Sequence, residues 1–326
     1  MNILYVLGNG FDLNVGLSTS YRDFYDYYKA VRTFNKSIQQ LKSDIYENIE
    51  NWSDLELSLG EYTVNFDSAE EFLNVFEDIG DNLADYLLKV EKELKINEHS
   101  CERLKKQLCR PEQFLPKAQQ NIISKFRNTW SEEKWFVEVI TFNYTKTFEK
   151  LINTESDYEH ISYHGNQKPI IYRGIKHVHG YMDSRMVMGV NDFNQVANNS
   201  LVSSQSFIDA FIKVESNKSM QHTIDDQCEY QISNANLICL FGCSIGSTDR
   251  IWWEHIGQRI LKGNCLLIIF SKEQDIPERR DYKKNAFRNQ VVDRFLKQSG
   301  LNKDEQKEVQ KKIFVEINSR MFSELI

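Results

Sequence analysis

Four short polar clusters carry the residue types that could do chemistry in this chain. They are Gly8-Asn9-Gly10-Phe11-Asp12, Thr141-Phe142-Asn143-Tyr144, His177-Val178-His179-Gly180 and Gly242-Cys243-Ser244-Ile245-Gly246. Each directly follows or ends an apolar run that reads as a buried strand. Gly8-x-Gly10 suits a tight turn with close backbone approach to a phosphate. Its third glycine position is Leu13, and the next glycine is Gly16. The region where a second strand should end in an acidic residue is helical in pattern, which disfavours an ordinary dinucleotide dehydrogenase. The other reading of Gly8 and Gly10 is a strand-to-helix turn that needs glycine for its backbone.

Each remaining candidate has two readings. Asn143 caps the next helix, or it orients a ligand hydroxyl or a water. His179 is a buried structural histidine or a general base, and His177 competes with it from two residues away. Gly242-x-Ser244 followed by Asp249 forms a phosphate or ribose contact, or it is a strand-end turn with Asp249 near a helix start where an acid favours the dipole. No serine has nucleophile-elbow spacing, which sets aside a serine hydrolase. Asp54, Glu56 and Asp67 match no metal motif and read as a solvated helix face, so no metal is expected.

The elements that would position these residues are read from hydrophobic periodicity. Ile3–Leu7, Trp135–Phe142, Leu237–Phe241 and Cys265–Phe270 are strands, with short candidates at 170–172, 175–179 and 313–317. From Tyr21 to about Glu98 the period is helical, and Ser68-Ala69-Glu70-Glu71 has capping-box spacing before a long amphipathic run. Helices continue through 99–134, 205–232 and 252–261. Apolar strands alternating with helices predict a mainly parallel sheet covered on both faces. Such a sheet binds ligands at the carboxyl ends of its strands, where the four clusters fall. The stretch 20–133 is too long for a simple crossover and reads as a helical insertion within a single domain spanning 1–326.

Composition narrows the function classes. A hydrophobic content of 41% across 326 residues supports a large packed core and excludes a disordered chain. The net charge of −7 gives no warrant for broad nucleic-acid binding. No apolar run is long enough to cross a membrane, and the short N-terminal run lacks a basic region ahead of it, so a cytoplasmic location is expected. The six cysteines contain no C-x-x-C pair; Cys239, Cys243 and Cys265 read as small core residues. Trp252, Trp253 and the many Phe and Tyr residues read as core, not as a stacking platform.

Leu7-Gly8-Asn9-Gly10-Phe11-Asp12-Leu13 followed by Gly16-Leu17-Ser18-Thr19-Ser20-Tyr21-Arg22-Asp23-Phe24 resembles the opening of the AbiH family of bacteriophage abortive-infection proteins. Trp52–Glu56, Thr141–Thr145, His179-Gly180 and Gly242-x-Ser244 fit the same family order. That family in turn resembles a remote branch of the sirtuin-like fold, departing from its motifs at Asp12, Ser18 and Thr145. The resemblance implies a Rossmann-like, mainly parallel α/β sheet of sirtuin-like type with a large helical insertion after the first strand. It implies NAD as ligand or substrate, with Gly8, Asn9, Gly10, Asp12, Gly16, Leu17, Gly242, Ser244 and Asp249 binding it. It implies Asn143 and His179 as the residues that carry out its hydrolysis. The four-cysteine zinc site of sirtuin deacylases is absent, which argues against a protein deacylase.

The leading expectation is a defence effector that hydrolyses NAD at the nicotinamide–ribose bond. A nucleotide-binding sensor without turnover is the second, and a toxin or scaffold acting through residues 20–133 the third. Further expectations are a phage-derived trigger and a homo-oligomeric assembly.

Overall fold

The computed structural model describes residues 1–154, 156–165, 167–273 and 277–326. Seven strands form one sheet: β1 (Asn2–Leu7), β2 (Trp135–Thr141), β3 (Glu159–His164), β4 (Lys168–His177), β5 (Leu237–Phe241), β6 (Leu266–Ser271) and β7 (Ile313–Ile317). Their spatial order is β3-β4-β2-β1-β5-β6-β7. All neighbours pair in parallel except β3 and β4. Without the antiparallel edge strand β3, the six parallel strands run in the doubly wound order 3-2-1-4-5-6, with the chain reversing direction across the sheet between β1 and β5.

The central strands are apolar along their length because both faces are covered. Alternate residues point to opposite faces. Ile3, Tyr5, Leu7, Val137, Val139, Cys239 and Phe241 enter one core. Leu4, Val6, Ile140, Ile238, Leu240, Leu267 and Ile269 enter the other. Helices Ser100–Cys109, Lys117–Asn128 and Thr147–Ile152 supply the first core, and helices Ile224–Asn234, Arg250–Leu261 and Lys284–Gln298 the second.

A third core joins helices Tyr21–Ala30, Lys36–Glu47, Leu55–Tyr62 and Ala69–Glu91 to residues 182–212. It includes Tyr144, Met182 and Met188, which follow the ends of β2 and β4, so this layer stands over the carboxyl edge of the sheet. The long stretch between β1 and β2 is therefore divided: the four helices from Tyr21 to Glu91 build this layer, and helices Ser100–Cys109 and Lys117–Asn128 cover a sheet face. Ser20, Asn35, Asp54 and Ser68 cap the four helices through their side-chain oxygens.

One strand reading changes. Residues 170–172 and 175–177 belong to one strand, β4, interrupted in register near Gly174 at φ +85°, and Val178 and His179 lie in the turn beyond its end. β3, ending at His164, adds a half-exposed edge strand whose polar sequence gives no apolar run.

Candidate functional site

A cleft of about 310 Å³ opens at the carboxyl ends of β1 and β5, where the strand order reverses. That volume lies at the lower end of small-molecule sites, roughly 300–1,000 Å³. Its wall includes Gly8, Asn9, Asp12, Asn143, His179, Gly242, Ser244 and Asp249. Gly10, Gly16 and Leu17 do not line it. Gly16 turns the chain at φ +79°, and Leu17 packs into the first sheet core.

The glycines hold two loops together. The Gly8 N–H donates to Phe241 O at 3.0 Å and the Gly10 N–H to Gly242 O at 2.9 Å. A Cβ on Gly10 would lie 2.5 Å from Gly242 Cα, and one on Gly8 would lie 2.6 Å from Gly242 O. Glycine is required here so that the ends of β1 and β5 can meet. The amides of Gly8 and Gly10 are already hydrogen-bonded and do not face a phosphate, which corrects that part of the sequence reading. Asn9 stays in the cleft wall, its side chain bridged to Thr19 through Asn9 Nδ2–H to Thr19 O and Thr19 Oγ1–H to Asn9 Oδ1.

Asp12 is 1% exposed. The Thr145 hydroxyl donates to its Oδ2; its Oδ1 makes no well-aligned hydrogen bond, with the Thr147 hydroxyl and the Asn143 amide as its neighbouring donors. Burial raises its pKa to about 6, against the opposing effect of hydrogen bonds from the Thr145, Thr147 and Asn143 side chains. Asn143 does not cap the following helix, whose N-cap position is Lys146. Its backbone N–H donates to Thr141 Oγ1 at 3.1 Å, and its carbonyl meets His177 Nδ1 at 2.9 Å. The other ring nitrogen of His177 lies 2.8 Å from Glu149 Oε1. With both nitrogens held and its ring outside the cleft wall, His177 supports the strand end.

His179 lines the cleft. Its Nε2 stands 3.0 Å from Asp249 Oδ1, close but without the alignment of a good hydrogen bond. Burial lowers its pKa, the Lys213 cation lowers it further, and Asp249 only partly counteracts both. The ring is therefore neutral at pH 7. A carboxylate beside Nε2 favours the tautomer protonated there, which leaves the lone pair on Nδ1. Phe142 and Tyr144 flank the ring at centroid distances of 5.4 and 6.1 Å. Arg185 fixes the turn that carries it, donating to Val178 O at 3.1 Å and to His177 O. Gly180 ends that turn at φ +72°, packed against the Arg185 carbonyl.

Lys213 anchors the acidic side. Its ammonium donates to Glu56 Oε2 at 2.8 Å, Asp249 Oδ1 at 2.9 Å and Thr248 O at 3.2 Å. Although burial alone would raise the pKa of Asp249, Lys213 and then His179 hold it below the usual carboxylate range. Burial pushes Glu56 up to about 7 against the pull of Lys213. Glu56 Oε1 also accepts the Gly189 N–H at 3.1 Å. Glu56 is thus a buried ion-pair member and not part of a solvated face. Asp54 caps helix Leu55–Tyr62 and lines the cleft, whereas Asp67 is exposed. Asp249 occupies the N-cap position of helix Arg250–Leu261 without a side-chain capping bond; its carboxylate turns to Lys213 and His179 instead.

Residues 4–271 match the family described as bacteriophage abortive infection AbiH. The chain belongs to the AbiH family. No curated protein matches it. The AbiH match covers the four clusters and the helical layer, and it associates the chain with phage abortive infection. Sequence reasoning missed Lys213 and Arg185 as members of the AbiH cleft's surroundings, since neither lies in a strand-end motif; Tyr144, named within the Thr141–Tyr144 cluster, lines the cleft. Cys243 and Trp253, read as core, also line the cleft. Among the described residues no helix is long and apolar enough to cross a membrane, and no cluster of metal-ligating side chains is present.

Proposed function

We propose that this AbiH protein is a sirtuin-like defence effector that hydrolyses NAD⁺ at the nicotinamide–ribose bond. One observation carries the reading: Asn143, His179 and the buried Asp12 carboxylate meet in a single cleft at the reversal point of a doubly wound sheet.

The reaction breaks the bond between ribose C1′ and the ring nitrogen of nicotinamide. The electron pair leaves with that nitrogen, water supplies the oxygen that bonds to C1′, and one proton is released. Positive charge gathers on the sugar as the bond breaks. Asp12, ionised above about pH 6, favours that charge from a buried position where solvent screens it little. Neutral His179 takes the proton of the attacking water, and Asp249 steadies the ring from the far nitrogen, as a third group does in base–orienter pairs. The Asn143 amide orients a ribose hydroxyl or the water.

The test is nicotinamide release from NAD⁺ by the purified chain, compared with Asn143→Ala and His179→Ala. Release by the wild type alone supports the assignment; equal release by all three rejects it.

A second reading, nucleotide sensing without turnover, rests on a different observation. The chain of contacts Glu56–Lys213–Asp249–His179 links the helical layer to the cleft. Saturable NAD⁺ binding without nicotinamide release favours it.

A further inference from the structure

We propose that the cleft selects the cationic nucleoside end of its substrate, so that a positively charged N-glycoside such as nicotinamide riboside is bound and cleaved without any help from phosphate. This rests on the glycohydrolase reading and specifies its substrate class.

The wall carries four carboxyl side chains, Asp12, Asp54, Glu56 and Asp249, and His179 as its one basic side chain; no lysine or arginine lines it among the described residues. Lys213 lies behind the wall with its ammonium held by Glu56, Asp249 and the Thr248 carbonyl. The amides that a glycine turn would offer a phosphate are bonded to Phe241 O and Gly242 O. The short helix after that turn carries Asp12 in its first turn, which opposes an anion. A diphosphate therefore meets neither cations nor free glycine amides in this cleft, and it meets carboxylates.

The independent sign of a ligand is Asp12 itself. It is buried, lines the cleft and leaves Oδ1 without a well-aligned hydrogen bond, although the Thr147 hydroxyl and the Asn143 amide stand beside the carboxylate. A buried carboxylate oxygen in that state calls for a donor or a cation. Oxidised nicotinamide attached to ribose supplies both: a positive ring and hydroxyls at the bond to be broken. Asp54 faces the same space, and its helix-capping role survives replacement by Asn, which caps equally well.

The experiment compares oxidised nicotinamide riboside, nicotinamide mononucleotide and NAD⁺ as substrates of the full chain. It also measures binding of nicotinamide riboside and of ADP-ribose by calorimetry. The expected result is a kcat/KM for nicotinamide riboside within about tenfold of that for NAD⁺. Asp54→Asn should lower both values while leaving the melting temperature in place. Asp12→Asn should weaken nicotinamide riboside binding more strongly than any ADP-ribose binding, because ADP-ribose shares the ribose hydroxyls and lacks the cationic ring. Cleavage of NAD⁺ with nicotinamide riboside poorer by about a hundredfold or more overturns the inference and leaves the glycohydrolase reading standing. Asp12-dependent binding of nicotinamide riboside without cleavage of any substrate supports the cation site and removes the hydrolase reading. Neither binding nor cleavage overturns both.

Discussion

His179 Nε2 and Asp249 Oδ1 stand 3.0 Å apart, and the same carboxylate oxygen accepts from Lys213 at 2.9 Å. One buried acid thus faces a neutral imidazole and a lysine together. The lysine holds the carboxylate ionised, and the carboxylate fixes which imidazole nitrogen bears the proton. The histidine's readiness as a base therefore depends on a lysine that does not line the cleft.

Removing that lysine should unsettle the protein before it affects chemistry. Lys213 is 6% exposed, and Lys213→Met leaves Glu56 and Asp249 buried without their counter-charge. A loss on the order of 3–5 kcal/mol is expected in a denaturant melt. Glu56→Gln in the same chain should recover part of it. A Lys213→Met protein as stable as the wild type would contradict this ion-pair account.

Asp12 should move stability and activity in opposite directions with pH. Its folded pKa, about 6, lies above its ordinary 3.8. The folded state therefore binds the extra proton between those values. The stabilisation is complete below about pH 4 and is lost as pH rises through about 6. Asp12→Asn removes that loss but leaves a buried amide N–H₂ short of a partner, so the net gain at pH 7.5 is on the order of 1–2 kcal/mol. The wild type should melt above Asp12→Asn near pH 4, fall past it as pH rises from 4 to 6, and keep a level deficit above about pH 7. Nicotinamide release by the wild type should instead rise through pH 6, as the carboxylate ionises, and should be lost in Asp12→Asn.

The glycine pair should act on folding and not on phosphate affinity. Gly10→Ala places a Cβ against the Gly242 backbone at 2.5 Å, where nothing flexible can yield. A cost of roughly 3 kcal/mol or more is expected. Gly80, inside helix Ala69–Glu91, meets only the Met188 methyl at 3.5 Å. Gly80→Ala should stabilise by about 0.5–1 kcal/mol through helix propensity. A thermal-melt series over the two variants checks both signs.

The sheet was legible because parallel strands buried on both faces are written as unbroken apolar runs, as in Ile3–Leu7 and Leu237–Phe241. β3 was not, since its edge position leaves His160 and Tyr163 exposed and its sequence polar. Asn143, His179 and Asp249 could be found from their places at or beyond strand ends. Glu56 and Lys213 could not: they meet across 157 residues, and no local period announces a pairing of that range. Gly8 and Gly10 were seen as glycines with a purpose. Their partner, Gly242, lies on another strand, so the sequence could not separate phosphate contact from loop packing.

The central claim is that Asn143 and His179 carry out hydrolysis in this cleft. The most direct measurement follows nicotinamide released from NAD⁺ by chromatography, for wild type, Asn143→Ala and His179→Ala, each first shown to melt as one folded species. The account predicts release by the wild type and a loss of about a hundredfold or more in each variant. Release that persists undiminished in both folded variants would contradict it.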